Sequence, residues 1–198
     1  MSKYQQRGDY HFQLYKTKGD TYRNHVLDVM AKVEQFMPPC CAVYDIGAGE
    51  GLFTCLLIEA GYSASGCEID GHAVELAAGR ALPIEQVSFE EAPEIEFGGI
   101  MFLDSLEHVD DFVAVLEKAK RMTDLLFIAI PDRHDPHATV QVTKQQIIDE
   151  FEGWKVLHDE TRHARHFMIF EKVLERTEED GFNRFESVEP DEVEDQTW

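Results

Sequence analysis

The sequence predicts an α/β fold: a doubly wound, mostly parallel sheet of seven strands, with helices on both faces and an antiparallel hairpin at its C-terminal end. Two observations lead to it. From Cys40 to Phe151, β-type runs alternate with helical ones, and parallel neighbours need the crossover connections that such helices supply. The last two strand-like segments, WKVLHDE and ARHFMIFEKV, are linked only through HDETRHAR. That link is too short for a crossover, so the two pair antiparallel at the sheet edge.

The elements follow in order. VLDVMAKVEQFMPP places Val26, Leu27, Val29, Met30, Val33, Phe36 and Met37 at helical spacing and is stopped by Pro38 and Pro39. CCAVYDI is the first strand. After a glycine-rich stretch, LFTCLLIEA reads as a helix closed by Gly61, and YSASGCEID as a second strand ending in acids. GHAVELAAGRAL is helical, Gln86 to Phe89 form a short third strand, and GGIMFLD is a buried fourth strand. VDDFVAVLEKAKRM is a helix, DLLFIAIPD a fifth strand, and TKQQIIDEF a helix begun by Thr143.

With 198 residues the chain suits one domain around one core. No run approaches the roughly 20 apolar residues of a membrane span, and the polar N-terminus is no secretory signal. The expectation is a soluble, cytoplasmic protein with no membrane partner. Cys40, Cys41, Cys55 and Cys67 form no C-x-x-C pair and read as reduced thiols. The formal charge of −21 repels phosphate backbones and argues against a nucleic-acid partner. From Glu175 to Trp198, ten acidic residues face only Arg176 and Arg184. Residues 175–198 therefore read as a disordered acidic tail, with a docking arm or an ordered lid as the alternatives. Residues 1–21 read as a lid or flexible segment, and 22–174 as the folded domain.

VYDIGAGEGLFT, Val43 to Thr54, is the most informative stretch. In a doubly wound sheet, ligands bind beyond the carboxyl ends of the strands, where the first strand passes into its helix. Glycines at 47, 49 and 51 let the backbone turn tightly and approach a ligand. A dinucleotide fingerprint, G-x-G-x-x-G, fails because position 52 is leucine. What stands there is D-x-G-x-G-x-G, and Asp45 suits a cationic amino group better than a pyrophosphate. Glu68, at the end of the second strand, can accept both hydroxyl protons of a ribose. A nucleoside bearing an amino-acid moiety meets both needs.

In these motifs the chain resembles the class I S-adenosylmethionine-dependent methyltransferases, which are Rossmann-like, over roughly residues 22 to 174. VYDIGAGEG is similar to their first motif, GCEID to the acidic ribose motif, FGGIMFLDSLEHVDD to the fourth-strand motif, and LLFIAIPD to the segment that follows. The resemblance implies S-adenosyl-L-methionine as cofactor and methyl transfer to a small-molecule acceptor at oxygen or nitrogen. Carried over by position, it puts Asp45, Gly47, Ala48, Gly49 and Gly51 around the methionine portion, Glu68 on the ribose and Ile69 on the adenine. It puts Phe89 and Glu90 (or Glu91) near the adenine, and Asp104, Ser105 and Leu106 beside the cofactor.

His108 and His134 are the catalytic candidates, because a neutral imidazole accepts a proton near neutral pH. The alternative for His108 is packing beneath the cofactor. Asp104, Glu107 and His108, with His134 or His137, also form an oxygen and nitrogen set for a divalent metal. That arrangement is similar to the E-x-x-E-H motif of small-RNA 3′-terminal ribose methyltransferases, though L-E-H segments also occur in quinone-biosynthetic O-methyltransferases. Arg133, His134 and His137 suit an acidic acceptor, whereas Arg162 to His166 read as a solvated turn. Tyr15 and Tyr22 are lid residues or pack the leading helix on the sheet. A non-catalytic module of the same fold, recruiting a basic partner through the acidic tail, is the remaining alternative.

Overall fold

The structure, a computed structural model, describes residues 8–17, 20–133 and 138–173. Two helices, α1 (Tyr10–Thr17) and α2 (Asp20–Phe36), precede β1 (Ala42–Ile46), α3 (Leu52–Glu59), β2 (Ser63–Glu68), α4 (Gly71–Ala78) and β3 (Ile84–Gln86). Then come β4 (Gly99–Leu103), a 3-10 turn (Leu106–His108), α5 (Phe112–Met122), β5 (Leu125–Pro131), α6 (Lys144–Glu150), β6 (Trp154–Arg162) and β7 (Arg165–Lys172). The seven strands form one sheet in the order β3-β2-β1-β4-β5-β7-β6. All pairings are parallel except β5 with β7 and β7 with β6.

Each central strand is apolar on both sides, and the period-2 alternation of a strand divides its residues between two cores. Tyr44 and Ile46, Ile100 and Phe102, Leu126 and Ile128, and Met168 and Phe170 enter one core with Leu116, Met122 and Ile147 from α5 and α6. Val43, Met101, Phe127 and Ile169 enter the other with Val29 and Val33 from α2 and Leu57 from α3. Truncating a fully buried Phe102 or Phe127 to alanine should cost about 3–5 kcal/mol.

Three boundaries depart from the sequence reading. Helix α2 begins at Asp20, not Val26, and α1 precedes it. Neither α1 nor the first turns of α2, before Val26, show a plain apolar stripe, because the side chains they turn inward, among them His11, Tyr22 and His25, cover a cavity instead of a core. The third strand occupies Ile84 to Gln86, not Gln86 to Phe89, since its partner β2 ends at Glu68 opposite Gln86. The hairpin link is only two residues, His163 and Ala164, both with positive φ (53° and 63°), the backbone that matches the twist of antiparallel strands.

Residues 1–7, the His134 and His137 positions, and the acidic tail of 175–198 lie outside the described residues. No described helix is long and apolar enough to cross a membrane.

Candidate functional site

β1 ends at Ile46, and the chain reverses through Gly47 (φ 70°) and Gly51 (φ 86°), backbone conformations that disfavour side chains. A Cβ on Gly47 would stand 2.6 Å from Ser105 Cβ, and one on Gly51 would meet Leu82 Cδ1 at 2.5 Å. The loop is tied to β2 as well. Gly47 and Ala48 N–H both donate to the Cys67 carbonyl at 3.0 Å, and Gly49 N–H donates to Glu68 Oε2 at 2.9 Å. Asp70 N–H donates to the other Glu68 oxygen, also at 2.9 Å. With one fixed donor on each oxygen, the carboxylate is oriented and still has acceptor capacity facing the cavity.

Asp45 is 3% exposed, and its Oδ2 accepts from the Thr54 hydroxyl at 2.9 Å. Burial pushes its carboxyl up to about 6, against the Thr54 bond, which pulls it down. A carboxylate under that pressure gains from a cation placed beside it.

These groups line a cavity of about 1030 Å³ across the carboxyl ends of the strands, at the upper end of the roughly 300–1,000 Å³ usual for ligand sites. Glu68 and Ile69 at the end of β2 stand at one side, and Arg165 at the start of β7 at the other. Four strand spacings separate them, roughly 19 Å, enough for two ligands side by side.

The roof comes from α1 and α2. His11 is held by Glu50, a fully buried side chain of the glycine loop: its backbone N–H donates to Oε1, and its Nδ1 lies 2.8 Å from Oε2. Burial raises the Glu50 carboxyl, but the His11 contacts outweigh it and leave the group below its usual range. Arg80 joins Asp9 at 2.6 Å and covers the Phe12 ring at 4.3 Å, so α1 is clasped at two further places.

At the far side, Asp104 has φ 55°. Arg165 Nε donates to both of its oxygens, at 2.8 and 2.6 Å, and Nη2 adds a contact at 2.5 Å. Over this pair lie Tyr22, whose hydroxyl pKa is raised far above its usual value by burial and then by Asp104, and His25. Burial, with the Arg165 charge, lowers His25 to about 4, so it is neutral at pH 7. Helix α2 is fixed here by Asp28, which takes Arg162 at 3.1 Å and His163 at 2.9 Å from the hairpin turn. The Ser105 hydroxyl, 8% exposed, lines the cavity without a hydrogen-bond partner among the described residues. The 3-10 turn beside it is pinned by Thr139 and Val140 N–H groups on the Glu107 carbonyl, at 2.9 and 3.1 Å.

Of the residues singled out by sequence, Asp45, Gly47, Ala48, Glu68, Ile69, Phe89, Glu90, Asp104, Ser105 and His108 line the cavity. Gly49, Gly51 and Leu106 sit behind its wall: Gly49 orients Glu68, Gly51 packs on Leu82, and Leu106 is fully buried in the core. Phe89 is largely a core residue, edge-on to Phe102 at 5.8 Å. Its loop is held by the buried Lys118, whose ammonium donates to the carbonyls of Phe89 at 2.7 Å, Glu90 at 3.0 Å and Ala92.

Arg133 has a side chain 87% exposed and is not in the wall. Tyr15 carries Arg23 over its ring at 5.9 Å and lines nothing, whereas Tyr22 does. The metal-ligand reading meets a specific obstacle: the Asp104 carboxylate is taken by Arg165, and among the described residues no three suitable side chains converge.

Sequence reasoning missed Arg165, reading 162–166 as a solvated turn. Because β7 runs antiparallel to β5, its first residue pairs with Pro131 and lands on the sheet edge that borders the cavity. It missed His11 and His25 too.

Residues 25–184 match a known protein family, described as a methyltransferase domain. The chain belongs to that family. The methyltransferase domain is also similar in fold to solved structures. One is a magnesium protoporphyrin IX methyltransferase from Synechocystis with bound SAM: TM-score 0.68, 16% identity, 86% of this chain and 93% of that one covered. Another is a SAM-dependent methyltransferase from Archaeoglobus fulgidus, with TM-score 0.62, 15% identity and coverage of 83% and 100%. A third, from Thermotoga maritima, is described as a possible histamine N-methyltransferase, with TM-score 0.64, 16% identity and coverage of 86% and 98%. Compared with curated proteins, the sequence finds no match.

Proposed function

We infer that this methyltransferase domain transfers a methyl group from S-adenosylmethionine to a small-molecule acceptor, at oxygen or nitrogen. The observation that carries the reading is the pairing of two acids along one wall. Asp45 is buried and destabilised as an anion, and Glu68 is oriented with spare acceptor capacity, with the Gly47 turn between them. The residues fit that cofactor: Asp45 would take its ammonium, Glu68 its ribose hydroxyls, and Ile69 and the edge of Phe89 its adenine. Once bound, the cofactor supplies an electrophilic sulfonium methyl.

The chain's own part is to bind, orient and exclude water, which is most of what an in-line displacement requires. Tyr10, His11 and Tyr22 cover the cavity, and the β5 and β7 side, bounded by Asp104 and Arg165, holds the acceptor. His108, exposed at the rim, is placed to pass a released proton to solvent. Calorimetric titration with S-adenosylhomocysteine tests this reading. Binding in the micromolar range is expected; the absence of both heat and thermal stabilisation would contradict it.

A further inference from the structure

The loop after β3 has little sheet to lean on. β3 ends at Gln86, yet Val87, Ser88, Phe89 and Glu90 line the cavity on the same side as Glu68 and Ile69. The loop's own bonds close one tight turn, in which the Ser88 carbonyl accepts the N–H groups of Glu91 and Ala92 at 3.2 and 3.0 Å. The carbonyls of Phe89, Glu90 and Ala92 have no backbone partner among the described residues. All three accept from one ammonium, that of Lys118 on α5.

Lys118 is 8% exposed. Its three N–H donors meet three carbonyls, so the group is saturated, and it stands 5.0 Å from the centre of the Phe89 ring. Among the described residues no carboxylate pairs with it. The Glu94 carboxyl is lowered first by Arg121, which bonds it at 3.0 and 2.7 Å, and last by Lys118. Lysine is rarely buried without such a partner, and an apolar side chain would fill the space at a smaller desolvation cost. What the ammonium alone does is draw three carbonyls to one point. A trans peptide sets its C=O and N–H on opposite sides. With the Phe89 carbonyl on Lys118, the Glu90 N–H is therefore turned away from it, on a residue that lines the cavity, and no described group accepts it.

We propose that Lys118 is a positioning residue for the base of the methyl donor, and that the loop it holds selects adenine over hypoxanthine, in which a carbonyl replaces the amino group. The proposal rests on the placement of adenine against Ile69 and Phe89 and names what fixes that wall. Lys118 acts only through Phe89 to Ala92. Without the ammonium, three carbonyls lose their partner and the loop turns them to water. The pattern of donors and acceptors facing the base is then no longer fixed, and a base with the wrong edge is no longer rejected.

The test titrates the wild-type chain with S-adenosylhomocysteine first and then with S-inosylhomocysteine. The adenosyl compound should bind about tenfold or more tightly. Lys118→Met, which keeps the apolar stem and removes the charge, should weaken the adenosyl compound about tenfold and bring the two affinities within about threefold of each other. Lys118→Gln, which keeps two donors, carries the same comparison where the methionine variant does not fold, and should also narrow the ratio. Leu116→Ala, a fully buried change on the same helix and away from the cavity, measures what loss of stability does alone; it should leave the wild-type ratio intact. Equal affinities in the wild type, a wild-type ratio kept in both Lys118 variants, or a ratio erased equally by Leu116→Ala would overturn the proposal and leave the donor reading standing. Failure of S-adenosylhomocysteine to bind the wild type would overturn both.

Discussion

Asp45 carries a conflict that a ligand can resolve. Its folded-state pKa of about 6, against an ordinary 3.8, means that burial disfavours the anion by roughly 3 kcal/mol. The folded protein therefore holds this proton more tightly than the unfolded chain between pH 3.8 and 6. The contribution to stability falls as pH rises through that window and is fully unfavourable above it. An ammonium placed beside the carboxylate reverses the preference, so binding expels the proton. Affinity for S-adenosylhomocysteine should be level above pH 6 and fall about tenfold per pH unit just below it, with about half a proton released on binding at pH 6. Calorimetry at pH 5 and 8, in buffers of different ionisation enthalpy, measures both effects. Asp45→Asn should stabilise the free protein by up to roughly 3 kcal/mol above pH 6, weaken product binding at least tenfold and abolish its pH dependence. Equal affinity at pH 5 and 8 with no proton exchange would refute the placement of the ammonium at Asp45.

Three further outcomes follow from the same geometry. Arg165→Met strips Asp104 of its partner in a half-buried setting; it should cost about 1–3 kcal/mol in urea unfolding and raise the acceptor KM at least tenfold, with product binding within about threefold. His25, depressed to about 4, takes up a proton less readily folded than unfolded, so its stabilising contribution is complete above pH 6.5 and is lost towards pH 4. In His25→Gln, roughly 2 kcal/mol of the loss between pH 7 and pH 5 should vanish, as read by denaturant melts at the two values. His11→Ala removes one imidazole contact from Glu50, and the product should then dissociate several-fold faster in stopped-flow displacement, because the roof is less firmly closed.

Much of the architecture was legible from local pattern. The β1, β4 and β5 runs are buried on both faces and so read as strands without ambiguity, and Thr143 announced the start of α6, where the structure contains a capping box with Gln146. Asp45 and Glu68 were legible because a buried acid ahead of a glycine turn, and another at the next strand end, have little reason to exist in a plain core. The roof was not legible. His11, Tyr22 and His25 line a cavity, so the apolar periodicity that betrays a core-facing helix is absent from α1 and the start of α2.

Leu106 was read as a cofactor contact from its place in the fourth-strand motif, yet the 3-10 turn points it into the core and leaves Ser105 on the cavity side. Arg165 was hidden by its neighbours, a run of arginine and histidine that looks like any solvated turn. Only the pairing of Arg165 with Pro131 reveals that the turn returns to the edge bordering the cavity. The residues proposed to bind the nucleoside follow a local motif, whereas those proposed to face the acceptor are assembled from α1, α2, β4 and β7 and have none.

The placement of two ligands along one row of strand ends is tested most directly by a crystal structure with S-adenosylhomocysteine bound. Its ribose hydroxyls should lie about 3 Å from the Glu68 carboxylate, with its sulfur turned towards Asp104 and open space remaining between Tyr22 and Arg165. A product molecule lying over β5 and β7, or one leaving Glu68 and Asp45 untouched, would contradict it.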